Sequence, residues 1–216
     1  MTNQLITYLH PSQNLFPTIG RLSPAAWLTK ALPISTGLVL CLLSAQPLRA
    51  HDQGGGSGNP QEAIRNVRNT LVGLRDSSQT QTEAALVDKA IKGLGRALDP
   101  ALWTDNTHLQ PKTGSKVFGE VANAASRLLT LMAANPDTIS ISQGDLAAMV
   151  DNLLRACGDL AGTAMTDAVD GGGDPIAIAD AVSLFQQATD KIGAGNITGG
   201  IQDDGAAWKR ATEALP

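Results

Sequence analysis

The sequence predicts an all-α fold, an antiparallel bundle of five or six helices with no sheet. Three observations carry that expectation. Glycine is abundant at 22 residues and aromatics are only 3% of the chain, which suits helices packed through small and aliphatic side chains better than a sheet. Beyond residue 60 the apolar residues recur at intervals of three and four, the period of a helix with one buried stripe. The segments between stripes are mostly short, and helices joined that way pack antiparallel with their neighbours. At 216 residues the chain is long enough for one domain with a core of its own.

The elements follow in order. Residues 1–50 read as a signal peptide region. Lys30 precedes an uncharged apolar run at 31–45, and "QPLRA" then "HD" follow it. A basic residue, a short apolar core and a small residue before the mature start are the parts of an export signal. Ala50 is the candidate cleavage point and Ala45 a second one, with Leu48 and Leu43 in positions where a small residue is preferred. The segment before Lys30 is long for a signal, which points to a start downstream of Met1. The run is shorter than the roughly 20 residues of a membrane-spanning helix. The expectation is therefore an exported protein, periplasmic or extracellular, with no stable membrane span after cleavage; an uncleaved N-terminal anchor is the alternative. Cys41 reads as a small apolar residue in a discarded segment. Cys157 is then the one remaining cysteine, in helical register with Leu153 and Leu160, and is expected to be a buried structural thiol.

Residues 51–59 are a glycine-rich flexible linker, and 60–215 form the bundle domain. Asn59-Pro60 opens the first helix, an N-cap side chain followed by a residue whose missing N–H costs nothing there. That helix runs to about 75, with Ala63, Ile64, Val67, Leu71 and Leu74 on one stripe. Thr80 and Glu83 have capping-box spacing. The second helix runs to about 98, carrying Val87, Ile91, Leu94 and Leu98 on one face, with Gly93 and Gly95 weakening it or permitting a close crossing. A third begins near Gly114 and carries Val117, Val121, Ala124, Leu128 and Leu131. Residues 138–142, "TISIS", alternate like a strand but have no partner strand, so they read as an extended connector. Ser142 and Asp145 open the fourth helix, with Leu146, Met149, Val150, Leu153, Cys157 and Leu160 inward. "DGGGD" at 170–174 ends it, and Asp174-Pro175 opens a fifth with Ile178, Val182, Phe185 and Ile192. The last helix spans about 197–215 and is anchored by Ile201 and Trp208. Gly199, Gly200 and Gly205 make it the weakest helix on propensity.

The connector "ALDPALWTDNTHLQPKTGSKVF", residues 97–118, concentrates unusual residues: Trp103, Asp105, His108 and Lys112 among prolines and hydroxyls. Asp99 ahead of Pro100 can cap a short turn, and Leu102 and Trp103 can cover the end of a helical hairpin. As a connector it needs only Trp103 buried, with Asp105, His108 and Lys112 facing water. As a binding loop it would use Trp103, Asp105, His108 and Lys112 together. Leu98-Asp99-Pro100, Leu102-Trp103, His108-Leu109, Pro111, Gly114 and Val117-Phe118 resemble a linker of the form LDPxLWxDxxHLxPKxGxxVF. It recurs in an uncharacterised group of exported prokaryotic helical-bundle proteins. "TAMTDAVDGGGDPIAIADA" and Ala207-Trp208 resemble that group's last helical hairpin. The resemblance covers roughly residues 86–214 and implies an exported helical domain. It implies no catalytic residue.

Charge narrows the function further. Arg21, Lys30 and Arg49 are the only charged residues in 1–50, leaving 13 basic residues against all 20 acids in 51–216, a net −7. Such a domain repels phosphate backbones and has few rings for bases to stack on, so nucleic acid is not the expected partner. No nucleophile elbow, phosphate-binding loop or zinc-protease motif is present, and no catalytic, cofactor or metal residue is assigned. His51 at a new N-terminus with His108 could chelate copper only if the glycine arm folded back. The 170–174 stretch lacks the twelve-residue ligand pattern of a calcium loop. Asp203-Asp204 reads as a solvated face, because adjacent helix residues point apart. The expected role is a structural or protein-interaction module of the cell envelope with an unidentified protein partner. The alternative is a periplasmic helical protein binding a metal or small ligand.

Overall fold

The computed structural model describes residues 58–134 and 139–216. The candidate signal, its cleavage points, Cys41, His51 and Thr138 lie outside the described residues. Among the described residues there are six α-helices: α1 Pro60–Arg75, α2 Gln81–Ala97, α3 Lys116–Met132, α4 Gln143–Asp170, α5 Pro175–Gly193 and α6 Ile197–Ala214. A single 3-10 turn, Pro100–Leu102, interrupts the connector. Among the described residues there is no strand; one isolated antiparallel bridge joins Trp103 and Leu109. No described helix is long and apolar enough to cross a membrane.

Helix starts follow local chemistry. The Asn59 side chain accepts from Glu62 N–H, Thr80 from Glu83 N–H, Ser142 from Asp145 N–H and Asp174 from Ile176 N–H. Each satisfies a donor that the helix itself cannot. The start of α3 falls at Lys116 rather than Gly114, and Ser115 makes no side-chain cap bond. Gly114 N–H instead donates to Gln110 O at 2.7 Å, closing a tight turn. A Cβ at Gly114 would stand 2.8 Å from Gln110 O and 3.1 Å from the Trp208 ring. Gly114 is therefore where the connector presses onto α6.

The expected apolar stripes form one core. Ile64, Val67, Leu71, Val87, Leu94, Val117, Val121, Leu128, Leu131, Leu146, Leu153, Cys157 and Leu160 are all buried. Ile91, Val182, Phe185 and Ile192 pack against its edge half-exposed. α1 packs on α2 and α4, and α2 on α3. Gly93 meets Glu120 O of α3, with a Cβ there at 3.4 Å, so the glycine serves the close crossing.

The last helix forms over Ile197–Ala214 as expected, with Ile201 and Trp208 buried, and one expectation about it is corrected. The helix weakest on propensity is continuous, and it packs against α3, α4 and α5. Its Lys191–Asp203 and Asp180–Arg210 pairs run in opposite directions along α5 and α6, so the two helices are antiparallel. Gly205 faces Phe118, where a Cβ would come within 2.8 Å of the Phe118 Cβ. The glycines that lower helix propensity are thus contact points. Asp203-Asp204 is not a solvated face: Asp204 is 2% exposed, and Asp203 reaches Lys191 Nζ at 2.7 Å. A helix with neighbours on three sides has too little free circumference to leave both positions in water.

Candidate functional site

The site forms where the connector crosses α4 and α6, and its scaffold is built inside the connector. Asp99 accepts from Ala101 N–H and starts the 3-10 turn. Leu102 O accepts from Gln110 N–H and His108 O accepts from Thr104 N–H, both at 2.9 Å. These bonds close residues 103–109 into a compact loop. Trp103 is 6% exposed, and its indole N–H donates to Ala97 O at 2.7 Å. That bond satisfies a carbonyl in the last turn of α2, where intrahelical donors have run out. The loop tip is held too, because Asn106 O accepts from Gln61 N–H in the first turn of α1.

Inside this loop Asp105 organises the polar groups. Its Oδ1 accepts from Thr107 N–H at 2.7 Å, from the Thr107 hydroxyl at 2.9 Å and from His108 N–H at 2.9 Å. This is the turn that an aspartate makes with the backbone ahead of it. The Thr107 N–H, then the His108 ring, hold the Asp105 carboxyl well below the usual carboxylate range, against a smaller opposing effect of burial. His108 Nδ1 lies 2.9 Å from Asp105, and its Nε2 lies 3.2 Å from Asp167 Oδ2 of α4. The Asp105 hydrogen bond raises the imidazole pKa from its ordinary 6.5; partial burial opposes this, and the charges of Asp105 and Asp167 add to it. In the protonated ring both nitrogens donate, and each faces a carboxylate. His108 then acts as a cationic clamp between connector and α4.

The clamp borders a cleft of about 240 Å³. Thr104, Thr107, His108 and Asp167 give it polar groups, while buried Leu160 and Trp208 give it an apolar floor. Phe118 supports Trp208 from behind, with ring centroids 6.1 Å apart.

Of the residues singled out in the sequence, Asp105 and His108 come together. Trp103 lies beneath as an anchor. Lys112 is exposed and forms no ion pair among the described residues. Asp105 and His108 both reach water, yet each is tied into the loop, because a non-repeating segment must find partners for its own backbone. Asp167, Leu160 and Trp208 were not read as neighbours of the connector.

Cys157 and Glu83 are titratable groups buried elsewhere, as is Asp204 of α6. Cys157 is fully buried, and burial first, then the Asp204 and Asp159 charges, push its thiol well up. It is a core residue and not a nucleophile in this setting. Glu83 is 1% exposed. Its N–H donates to the Thr80 hydroxyl, its Oε2 accepts from Gln79 N–H just ahead of that cap, and its Oε1 accepts from Ser140 N–H and the Ser140 hydroxyl. Burial alone would raise its pKa, but these bonds overcome it and leave the carboxyl below its ordinary value. Among the described residues no group of three or more His, Cys, Asp or Glu side chains is arranged to hold a metal ion. Comparison with protein-family models, with curated proteins and with solved structures finds no match for this chain.

Proposed function

We propose that this chain is an exported helical-bundle module of the cell envelope that engages a protein partner through the connector face. The observation carrying this reading is the cleft beside His108: polar groups around a buried apolar floor, on a loop fixed to α1, α2 and α4. A recognition surface gains affinity when its groups are ordered before the partner arrives. Its size suits one inserted side chain or a short loop. The signal-like residues 31–45 and the resemblance of the connector to that of an exported group support the location.

A second reading places a small ligand in the same cleft, favoured by the enclosed Leu160 and Trp208 floor. The metal form of that reading has less support, since both His108 ring nitrogens already face carboxylates.

A photo-crosslinking amino acid placed at exposed Thr104 in the full chain, expressed in its own host, tests the main reading. A protein adduct from Thr104, none from exposed Gln187 on α5, and recovery in an envelope fraction are expected. No adduct from Thr104, or the same adducts from both positions, would refute it. If stabilisation by a small molecule from a thermal-shift screen replaced the adduct, the second reading would stand instead.

A further inference from the structure

A second surface, on the far side of α2 from the core, has a different character. A groove of about 240 Å³ between α2 and α3 is lined by Lys89, Lys92, Arg96, Asn123 and Arg127. Lys89, Lys92 and Arg96 stand one and two turns apart on α2, spanning about 10 Å at 1.5 Å per residue. Arg127 and Asn123 form the facing wall on α3. The helices can approach here because Gly93 sits against Glu120. Arg96 holds Glu120 through two hydrogen bonds, at 2.8 and 2.7 Å, which fixes that end of the groove.

The charges in this groove are not balanced internally. Arg65, Arg75, Arg96, Arg155, Lys191, Lys209 and Arg210 all pair with carboxylates. Lys89, Lys92 and Arg127 pair with none among the described residues, although acids outnumber bases 20 to 13 beyond residue 50. Like charges held side by side repel unless an anion joins them. Arg68 of α1 extends the cationic surface around α2, its Nε within 3.6 Å of where a Gly95 Cβ would stand.

We propose that the α2–α3 groove binds an acidic segment of a partner protein, with two or more carboxylates laid across Lys89, Lys92 and Arg127. Asn123 supplies a neutral donor beside them. A peptide fits the observations better than a membrane. A membrane-binding helix couples cations to apolar side chains that enter the bilayer. The large exposed apolar residues among those described are Val72, Ile176 and Leu215, and none lies on α2 or α3. The acidic remainder of the domain would also be repelled by an anionic bilayer, whereas a groove presents its cations to a narrow partner. The proposal is independent of the connector cleft and stands or falls by itself.

The test is fluorescence anisotropy of the full chain with a short fluorescein-labelled Glu-Gly repeat peptide, at low and at physiological ionic strength. Wild type should bind, and binding should weaken with salt. Lys89→Glu with Lys92→Glu should reduce affinity about tenfold or more, whereas Arg75→Glu with Lys209→Glu, the same net charge change elsewhere, should stay within about twofold. Should the first pair disturb folding by circular dichroism, Lys89→Gln with Lys92→Gln replaces it with the same ranking expected. No binding by wild type at low salt, or equal loss in both double variants, would overturn the proposal. So would capture by anionic phospholipid vesicles in preference to the peptide, or lysine-dependent self-association that the peptide does not disrupt.

Discussion

The connector 98–115 joins α2 to α3, residues 139–142 lead into α4, and these two irregular stretches obtain their hydrogen bonds differently. The longer connector supplies its own. Asp99, Asp105 and the pairs Leu102/Gln110 and Thr104/His108 satisfy most of its turns from within. The shorter segment borrows from a helix. Ser140 is held by Glu83, 57 residues earlier, while Ile139 and Ile141 on either side are buried in the core. A self-satisfied loop can present exposed groups to a partner without losing its shape. A borrowed one is fixed in place and serves packing. That difference is why the connector, and not 139–142, carries the candidate site.

Substitutions at the two anchors test the contrast. The largest effect is expected at Trp103→Ala, a loss of about 3–5 kcal/mol for removing a buried aromatic, read by urea denaturation. Trp103→Phe should keep most of the packing and lose about 1 kcal/mol for the Ala97 carbonyl left unpaired. An Ala variant as stable as wild type would mean that the connector is not anchored to α2 at all.

Next in size is Glu83→Ala, at about 2–4 kcal/mol, because it leaves buried donors at Gln79 and Ser140 without an acceptor. Ser140→Ala alone should cost about 1 kcal/mol, and the double variant should be less than additive, since both changes remove one interaction. The sign with pH follows from the lowered pKa. The Glu83 contribution is complete above the ordinary value of 4.5 and is lost as pH falls through the lower folded value. Additive effects, or a stability difference between wild type and Glu83→Gln that grows in acid, would show that segment 139–142 is not held by Glu83.

What could be read in the sequence divides along the same line. Asn59, Thr80, Ser142 and Asp174 were legible as caps because each acts within three residues. The apolar stripes were legible because burial follows helical period. Trp103 as an anchor was legible from its place at a hairpin end. The site was only half legible. Asp105 and His108 are three residues apart, but Asp167 joins them across 59 positions, and no local pattern encodes that. Glu83 was read as a cap, and its second role at Ser140 was out of reach for the same reason. The glycines of α6 were legible as a propensity cost but not as contacts, because propensity describes an isolated helix, whereas Gly205 is set by the Phe118 ring. Gly205→Ala should therefore lower stability by about 1–2 kcal/mol, overpacking outweighing the propensity gain. Gly162→Ala on α4, with nothing within 4 Å of a new Cβ, should raise it by about 0.5–1 kcal/mol. A melting curve of each separates the two cases.

The smallest effect is expected at His108, and its pH dependence is more telling than its size. The ring is partly exposed, so its ion pairs are screened, and His108→Gln should cost below about 1 kcal/mol even where the clamp is complete. Because the folded pKa is raised, the contribution is fully present below the ordinary 6.5 and disappears as pH rises through the higher folded value. Wild type and His108→Gln should therefore differ most in mildly acidic solution and converge in mildly alkaline solution. Asp167→Asn should reproduce part of that pH-dependent difference, since it removes the interaction at Nε2 while leaving Asp105 in place at Nδ1. Trp103→Phe should shift the whole stability curve without changing its dependence on pH in this range. A His108 titration by NMR at or below 6.5, or a difference that widens as pH rises, would mean that the ring is neutral and that the connector is not clamped to α4 through charge.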